Sequence, residues 1–278
     1  MSRLESCFAT LRAQNRGGLV TFITAGDPDG DISSKILEGL PAVGADIIEL
    51  GMPFTDPMAD GPSIELASRR ALQSGYDIKK TLLMVAKFRK SDNDTPIVLM
   101  GYYNPIHAYG RNQFATDAAS AGVDGLIIVD LPPEEEDEFR PLAVTAGIDI
   151  VRLIAPTSTG PRITTLVENA SGFVYYVSVR GITGTTSATA SDIASNVGRI
   201  KAQTELPVAV GFGIRTPEQA AEVAMIADAA VVGTAIVETI ANSLGDDGEP
   251  SPRTVSDTLS FVSGLAAAVR SARLGVTE

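Results

Sequence analysis

Short runs rich in branched apolar residues recur along the chain at 19–24, 46–50, 97–100, 125–129, 148–154, 173–178, 208–210 and 229–232, with helix-length segments between them. Segments 64–88, 134–144 and 217–226 carry apolar residues at helical spacing. Strands that alternate with helices pair in parallel through crossovers. Eight such units in one chain predict an α/β fold, a single (β/α)8 TIM-type barrel, rather than an open doubly wound sheet. Two additions are expected to decorate it: an N-terminal helix that covers the barrel bottom, and a C-terminal helical segment over 255–274 after a polar break at 245–253. Neither reads as a domain, so residues 1–278 are taken as one unit.

Composition supports a large core and narrows the partners. Hydrophobic residues make up 44% of the 278, and the formal charge is -12. With a sequence pI near 4.6, the field of the whole molecule repels nucleic acid and anionic membrane surfaces. A small anionic ligand stays open, because backbone amides hold phosphate whatever the net charge. The one cysteine, Cys7, shares a helical stripe with Leu4, Phe8 and Leu11 and is expected to be a buried structural thiol. Residues 1–17 lack a signal-peptide core, no apolar run is long enough to span a bilayer, and the expected setting is a reducing cytoplasm, or the plastid stroma for a plant chain.

A barrel of this kind performs its chemistry at the C-terminal ends of the strands. The loop after the second run reads "IELGMPFTDPMADGP" and holds Glu49, Asp56 and Asp60 among Pro53, Pro57 and Pro62, with no basic residue to neutralise them. Alternation along the strand sends Ile47 and Glu49 into the barrel if Ile48 and Leu50 face the helices. Burial would then lift the Glu49 carboxyl from about 4.3 towards the ~6–7 suited to proton transfer at neutral pH. The alternative is a strand-end glutamate paired with an arginine such as Arg152.

The last three strands end in glycine: Gly181 and Gly184, Gly211 and Gly213, then Gly233 before a helix start at Thr234. Glycines allow amides to approach an anion, a helix start offers unpaired N–H groups, and such barrels often bind phosphate in this region. The Gly-, Ser- and Thr-rich stretch 179–192 reads as a lid. Phe22, Tyr102, Tyr175 and Phe212 lie at or near strand ends around the same mouth and could form a slot for a flat apolar group. Lys35, Lys79, Lys80, Lys87, Lys90 and Lys201 all fall in or just beyond helical segments, which disfavours a Schiff base. His107, read as lying in a loop, is too solitary to hold a metal, and no dinucleotide fingerprint follows the first strand. Metal-free acid–base chemistry by carboxylates on a phosphorylated substrate remains.

Together with "TFITAGDPD", "MGYYNPI", "GITGTT" and "GFGI", the acidic loop resembles the tryptophan synthase alpha subunit family, in order and over nearly the whole chain. The resemblance implies retro-aldol cleavage of indole-3-glycerol phosphate to indole and glyceraldehyde 3-phosphate. It also implies an alpha2beta2 heterotetramer in which indole passes to a beta subunit; that partner holds pyridoxal phosphate, and this chain holds no cofactor or metal. Carried onto this sequence, the catalytic carboxylates fall on Glu49 and Asp60. Indole contacts fall on Phe22, Tyr175, Thr183 and Phe212, joined by Tyr102 from the aromatic ring, and phosphate contacts on Gly184, Gly213, Gly233 and Thr234. Asp56 and Pro53 belong to a loop expected to couple to the partner. Thr234 stands where some members have serine, and the order Ser178-Val179-Arg180-Gly181 departs from theirs, so Arg180 receives no substrate role. Two other readings stay in view: a sugar-phosphate isomerase or epimerase on the same scaffold, and a non-catalytic ligand-sensing subunit.

Overall fold

The computed structural model describes residues 1–177, 189–211 and 213–274. Its strands are β1 (Gly18–Thr24), β2 (Ile47–Gly51), β3 (Ile97–Gly101), β4 (Gly125–Ile128), β5 (Asp149–Ile150), β6 (Arg152–Ile154), β7 (Val174–Val177), β8 (Val208–Gly211) and β9 (Ala229–Val232). Paired neighbours are all parallel, in the order β5-β4-β3-β2-β1-β9-β8-β7-β6. The two ends of that order, β5 and β6, are halves of the run expected as one strand over 148–154. The segment changes partner at Val151: its N–H still bonds Leu126 O on β4 at 3.0 Å, while the next residue, Arg152, registers with Val174 of β7. The ninth strand is this interruption, and through it one stretch of chain closes the barrel.

The helices are α1 (Arg3–Ala13), α2 (Gly30–Gly39), α3 (Pro62–Gln73), α4 (Ile78–Phe88), α5 (Tyr103–Tyr109), α6 (Arg111–Ala121), α7 (Arg140–Thr145), α8 (Gly160–Glu168), α9 (Ala190–Lys201), α10 (Pro217–Ile226), α11 (Thr234–Asn242) and α12 (Thr254–Ser271). Sequence and structure part in three places. The stretch 64–88 is two helices: Gly75 takes φ +78, a conformation costly for other residues, and Asp77 recaps the chain by accepting the Lys80 N–H. The stretch 134–144 is a 3-10 turn at Pro133–Glu135 followed by the short α7, whose Pro141 suits a first turn because it has no N–H to leave unpaired. His107 lies on α5, exposed, and not in a loop.

Two apolar layers follow from strand alternation. Ile23, Ile48, Leu50 and Leu99 point outward into the layer shared with the helices, which α12 completes with Val262, Leu265 and Val269. Val20, Ile47, Val98, Ile127, Val151, Phe173 and Ala209 point inward, where Leu4, Phe8 and Leu11 of α1 fill the space among them. Alpha-helical spacing puts these three on one face of α1, and Ser2 starts the helix by accepting the Glu5 N–H. The N-terminal helix is therefore a stopper for the end of the barrel opposite the acidic loop. Cys7, on the same helix, is half-buried; its thiol donates to Asp46 O at 3.4 Å and burial pushes it up to about 12. Among the described residues no helix is long and apolar enough to cross a membrane.

Candidate active site

Inward parity delivers Glu49 to the middle of the barrel mouth. On β2 it sits between Phe22 of β1 and Val98 of β3 in register, only 2% exposed, and its Oε2 has no hydrogen-bond partner among the described residues. Burial above all, and then the negative charge of Asp60, raises its pKa to about 8, so the side chain is a carboxylic acid at neutrality. The arginine alternative fails on geometry. Arg152 occupies an outward position on β6, pairs with Glu136 and donates to Leu131 O at 3.2 Å.

Asp60 arrives from the loop between β2 and α3. That loop is pinned in two places. Ser68 on α3 accepts the Phe54 N–H at 2.8 Å and donates to Phe54 O at 3.0 Å. Tyr102 accepts the Ala59 N–H at 3.0 Å and donates its own proton to Asp60 Oδ1 at 3.0 Å. Burial raises the Asp60 carboxyl, the Tyr102 hydrogen bond lowers it, and the charge of Glu65 raises it again. The Asp60 charge in turn raises Glu49, while the Tyr102 hydrogen bond favours the carboxylate form of Asp60. One site thus sets a buried, neutral acid beside a second carboxyl whose charged form a phenol favours.

A cavity of about 680 Å³ joins these groups. Glu49, Asp60, Phe22, Tyr175, Gly211, Gly213, Gly233 and Thr234 all line it, so eight residues singled out in the sequence meet in one space. Tyr175 stands beside Glu49 on the inner face; burial, then the Glu49 charge, holds its phenol well above the ordinary value. Gly211 is required there, because a Cβ at that position would lie 2.4 Å from the Tyr175 hydroxyl. At the far wall Gly233 precedes α11 and its carbonyl accepts the N–H groups of Ile236 and Val237, while the first helical N–H groups have no carbonyl one turn back. With Gly213 at φ +65 opposite, backbone amides there can receive an anion.

Other candidates fall elsewhere. Tyr102 does not line the large cavity; it borders a space of about 20 Å³ behind Asp60, with Thr24 and Ser68. Asp56 is exposed at the loop tip and accepts from Thr55, whereas Pro53 is buried at the base of the loop. Thr183, Gly184, Phe212 and Arg180 lie outside the described residues, as does most of the stretch read as a lid. Its end, from Thr189 to Asp192, is the capping box that begins α9. Ile64, Met58, Met100, Ile214, Val177 and Val231 also line the cavity and were missed in the sequence. Inward parity with Val98 would have found Met100, and Val177 follows from Tyr175 in the same way. Among the described residues no group of three or more His, Cys, Asp or Glu could hold a metal ion.

Comparison with known proteins gives a consistent answer. The sequence model of the family described as Tryptophan synthase alpha chain matches residues 8–268. A tryptophan synthase alpha chain from Granulibacter bethesdensis is 56% identical over 274 residues, which cover 99% of this chain and 98% of that one. Among solved structures, the tryptophan synthase alpha chain of Legionella pneumophila subsp. pneumophila aligns over 100% of both chains at 36% identity with a TM-score of 0.89. A chain of tryptophan synthase from M. tuberculosis, in an open form with BRD0059 bound, aligns at 35% identity and a TM-score of 0.85, covering 97% of this chain and 99% of that one.

Proposed function

The chain belongs to the tryptophan synthase alpha chain family, a carbon–carbon lyase that cleaves indole-3-glycerol phosphate, and from that premise we propose that Glu49 and Asp60 divide the proton transfers of the cleavage. Protonated Glu49 gives its proton to C3 of the indole ring. The resulting cation is relieved at the ring N–H by the Asp60 carboxylate. As the bond from C3 to the side chain breaks, its electron pair returns to the ring, and the Glu49 carboxylate takes the proton of the side-chain hydroxyl as that carbon becomes the aldehyde. Indole and glyceraldehyde 3-phosphate leave, and Glu49 is again protonated, so protons and electrons balance within one residue's cycle.

The observation that carries this reading is a buried glutamate, neutral at neutral pH and with one oxygen unpartnered among the described residues, facing the same cavity as a second carboxyl bonded by Tyr102. The phosphate is assigned to the end formed by Gly213, Gly233 and Thr234, with Gly184; the ring to Phe22 and Tyr175, with Thr183 and Phe212. Tyr102 serves Asp60 rather than the ring. The chain works without a cofactor of its own in the cytoplasm, and its partner is a pyridoxal-phosphate-dependent beta subunit in an alpha2beta2 assembly, met by the exposed Asp56 loop.

Steady-state release of indole from indole-3-glycerol phosphate tests the assignment. Glu49→Gln and Asp60→Asn should each lose on the order of 10²- to 10⁴-fold in kcat, the range of a positioned acid or base. A folded variant that cleaves at near wild-type rate would overturn the role of that residue.

A further inference from the structure

Three segments that shape the cavity meet again just behind it. Ser63 lies three residues beyond Asp60, in the first turn of α3, and donates its hydroxyl to Glu238 Oε1 at 2.8 Å. Glu238 lies on α11, one turn after Thr234. Arg215, two residues beyond Gly213, grips both oxygens of the same carboxylate, Nη1 on Oε2 and Nη2 on Oε1, the latter at 3.2 Å. The Arg215 backbone N–H is itself held by Gln219 of α10 at 2.8 Å. None of the three side chains is among the described residues lining the cavity.

The bridge contributes little to the fold. The side chains of Arg215 and Glu238 are 59% and 31% exposed, and ion pairs this open to water add almost nothing to stability. Its geometry is of another kind: one carboxylate accepts from two chain segments and is carried by a third. Those segments hold, in turn, the catalytic Asp60, the turn at Gly213 and the helix start at Thr234. We propose that Glu238 is a positioning residue, and that the Ser63–Glu238–Arg215 bridge sets the distance between the phosphate end of the cavity and Asp60. A substrate anchored by its phosphate then presents its ring N–H to a carboxylate whose loop is tied to that same anchor. The proposal rests on the function assigned above, because it needs phosphate at Gly213 and Thr234 and catalysis by Asp60.

The full chain and its variants Ser63→Ala, Ser63→Thr, Glu238→Ala and the Ser63→Ala/Glu238→Ala pair are assayed for indole release, for inhibition by inorganic phosphate, and for thermal unfolding. Small misplacements of a reacting group cost severalfold to a hundredfold, and coupled residues act non-additively. Ser63→Ala should therefore lower kcat about three- to tenfold, with phosphate inhibition unchanged and Tm within about 2 °C of wild type. Ser63→Thr should restore most of the rate, and the double variant should be no slower than Glu238→Ala alone. Wild-type kcat in both single variants, effects that multiply in the double, or a rate loss that follows a loss of Tm would each overturn the bridge while leaving the lyase reading intact. A wild-type chain that releases no indole would instead overturn that reading, and the bridge with it.

Discussion

Replacing Glu49 by glutamine should flatten the dependence of stability on pH above pH 6. The folded protein holds the Glu49 proton with a pKa of about 8, against an ordinary 4.5 in the unfolded chain. Between those values the folded state binds more protons than the unfolded one, so stability falls as pH rises. The contribution of this proton is complete below 4.5, declines through the window, and is gone once pH has passed 8. Each pH unit inside the window removes ~1.4 kcal/mol. From pH 6 to pH 9 about two such units are crossed, which predicts a loss of about 2–3 kcal/mol in the wild type that the glutamine variant does not share. For a chain of this size that corresponds to roughly 5–10 °C in Tm.

Urea unfolding followed by far-UV circular dichroism at pH 6, 7.5 and 9 measures the difference of slopes. That difference is the proper readout, because the buried amide adds a pH-independent cost of its own and every other titrating group is common to both proteins. Curves for wild type and Glu49→Gln that run parallel within about 0.5 kcal/mol would refute the reasoning. Parallel curves would mean that Glu49 is already ionised at neutrality and could not supply the proton to C3.

Four further outcomes follow from the same geometry. If protonated Glu49 is the donor, kcat/KM should fall about tenfold per pH unit above pH ~8, and a profile flat from pH 7 to 9.5 contradicts it. Tyr102→Phe removes the hydrogen bond to Asp60 and leaves the Ala59 N–H unpaired, so kcat/KM should drop about tenfold and the acid limb should move upward; an unchanged pH–rate profile would remove Tyr102 from the site. Leu4→Ala opens a void in the barrel stopper and should cost about 2–5 kcal/mol in urea unfolding, while kcat/KM at the distant mouth stays at the wild-type value. Gly211→Ala forces Tyr175 aside and should raise KM for indole-3-glycerol phosphate more than it lowers kcat, and wild-type kinetics would show that the two do not meet.

The parts legible in the sequence are those governed by short-range periodicity. Alternation on β2 separates Ile47 and Glu49 from Ile48 and Leu50, and the two apolar layers keep that separation. The same logic places Phe22 and Tyr175 on the inner face, and glycine after β8 and β9 marks the wall where amides are bare. The rest depends on residues far apart in sequence. Tyr102 bonds Asp60 across 42 positions, and nothing local distinguishes a phenol that holds a carboxylate from one that faces a ring. Arg152 could have answered Glu49; alternation puts it on the outer side with Ile150 and Ile154, where it finds Glu136. Ile64 and Ile214 escaped notice because an apolar side chain in a cavity wall has the same composition as one in a core.

The separation of the two acids between a strand and a loop has a chemical consequence. Glu49 is fixed by β2, which is paired on both sides, and its burial there favours the neutral carboxyl. Asp60 lies on a segment without strand partners, where a phenol can reach its oxygen and offset part of the cost of burial. On the proposed roles, exchanging the two positions would put the proton donor beside the phenol that favours its charged form, and the group that meets the ring nitrogen where burial favours its neutral form. A barrel mouth permits these two environments within one cavity because its floor is a sheet and its rim is loop. The acids are therefore distinguished by the elements that carry them, before any substrate arrives.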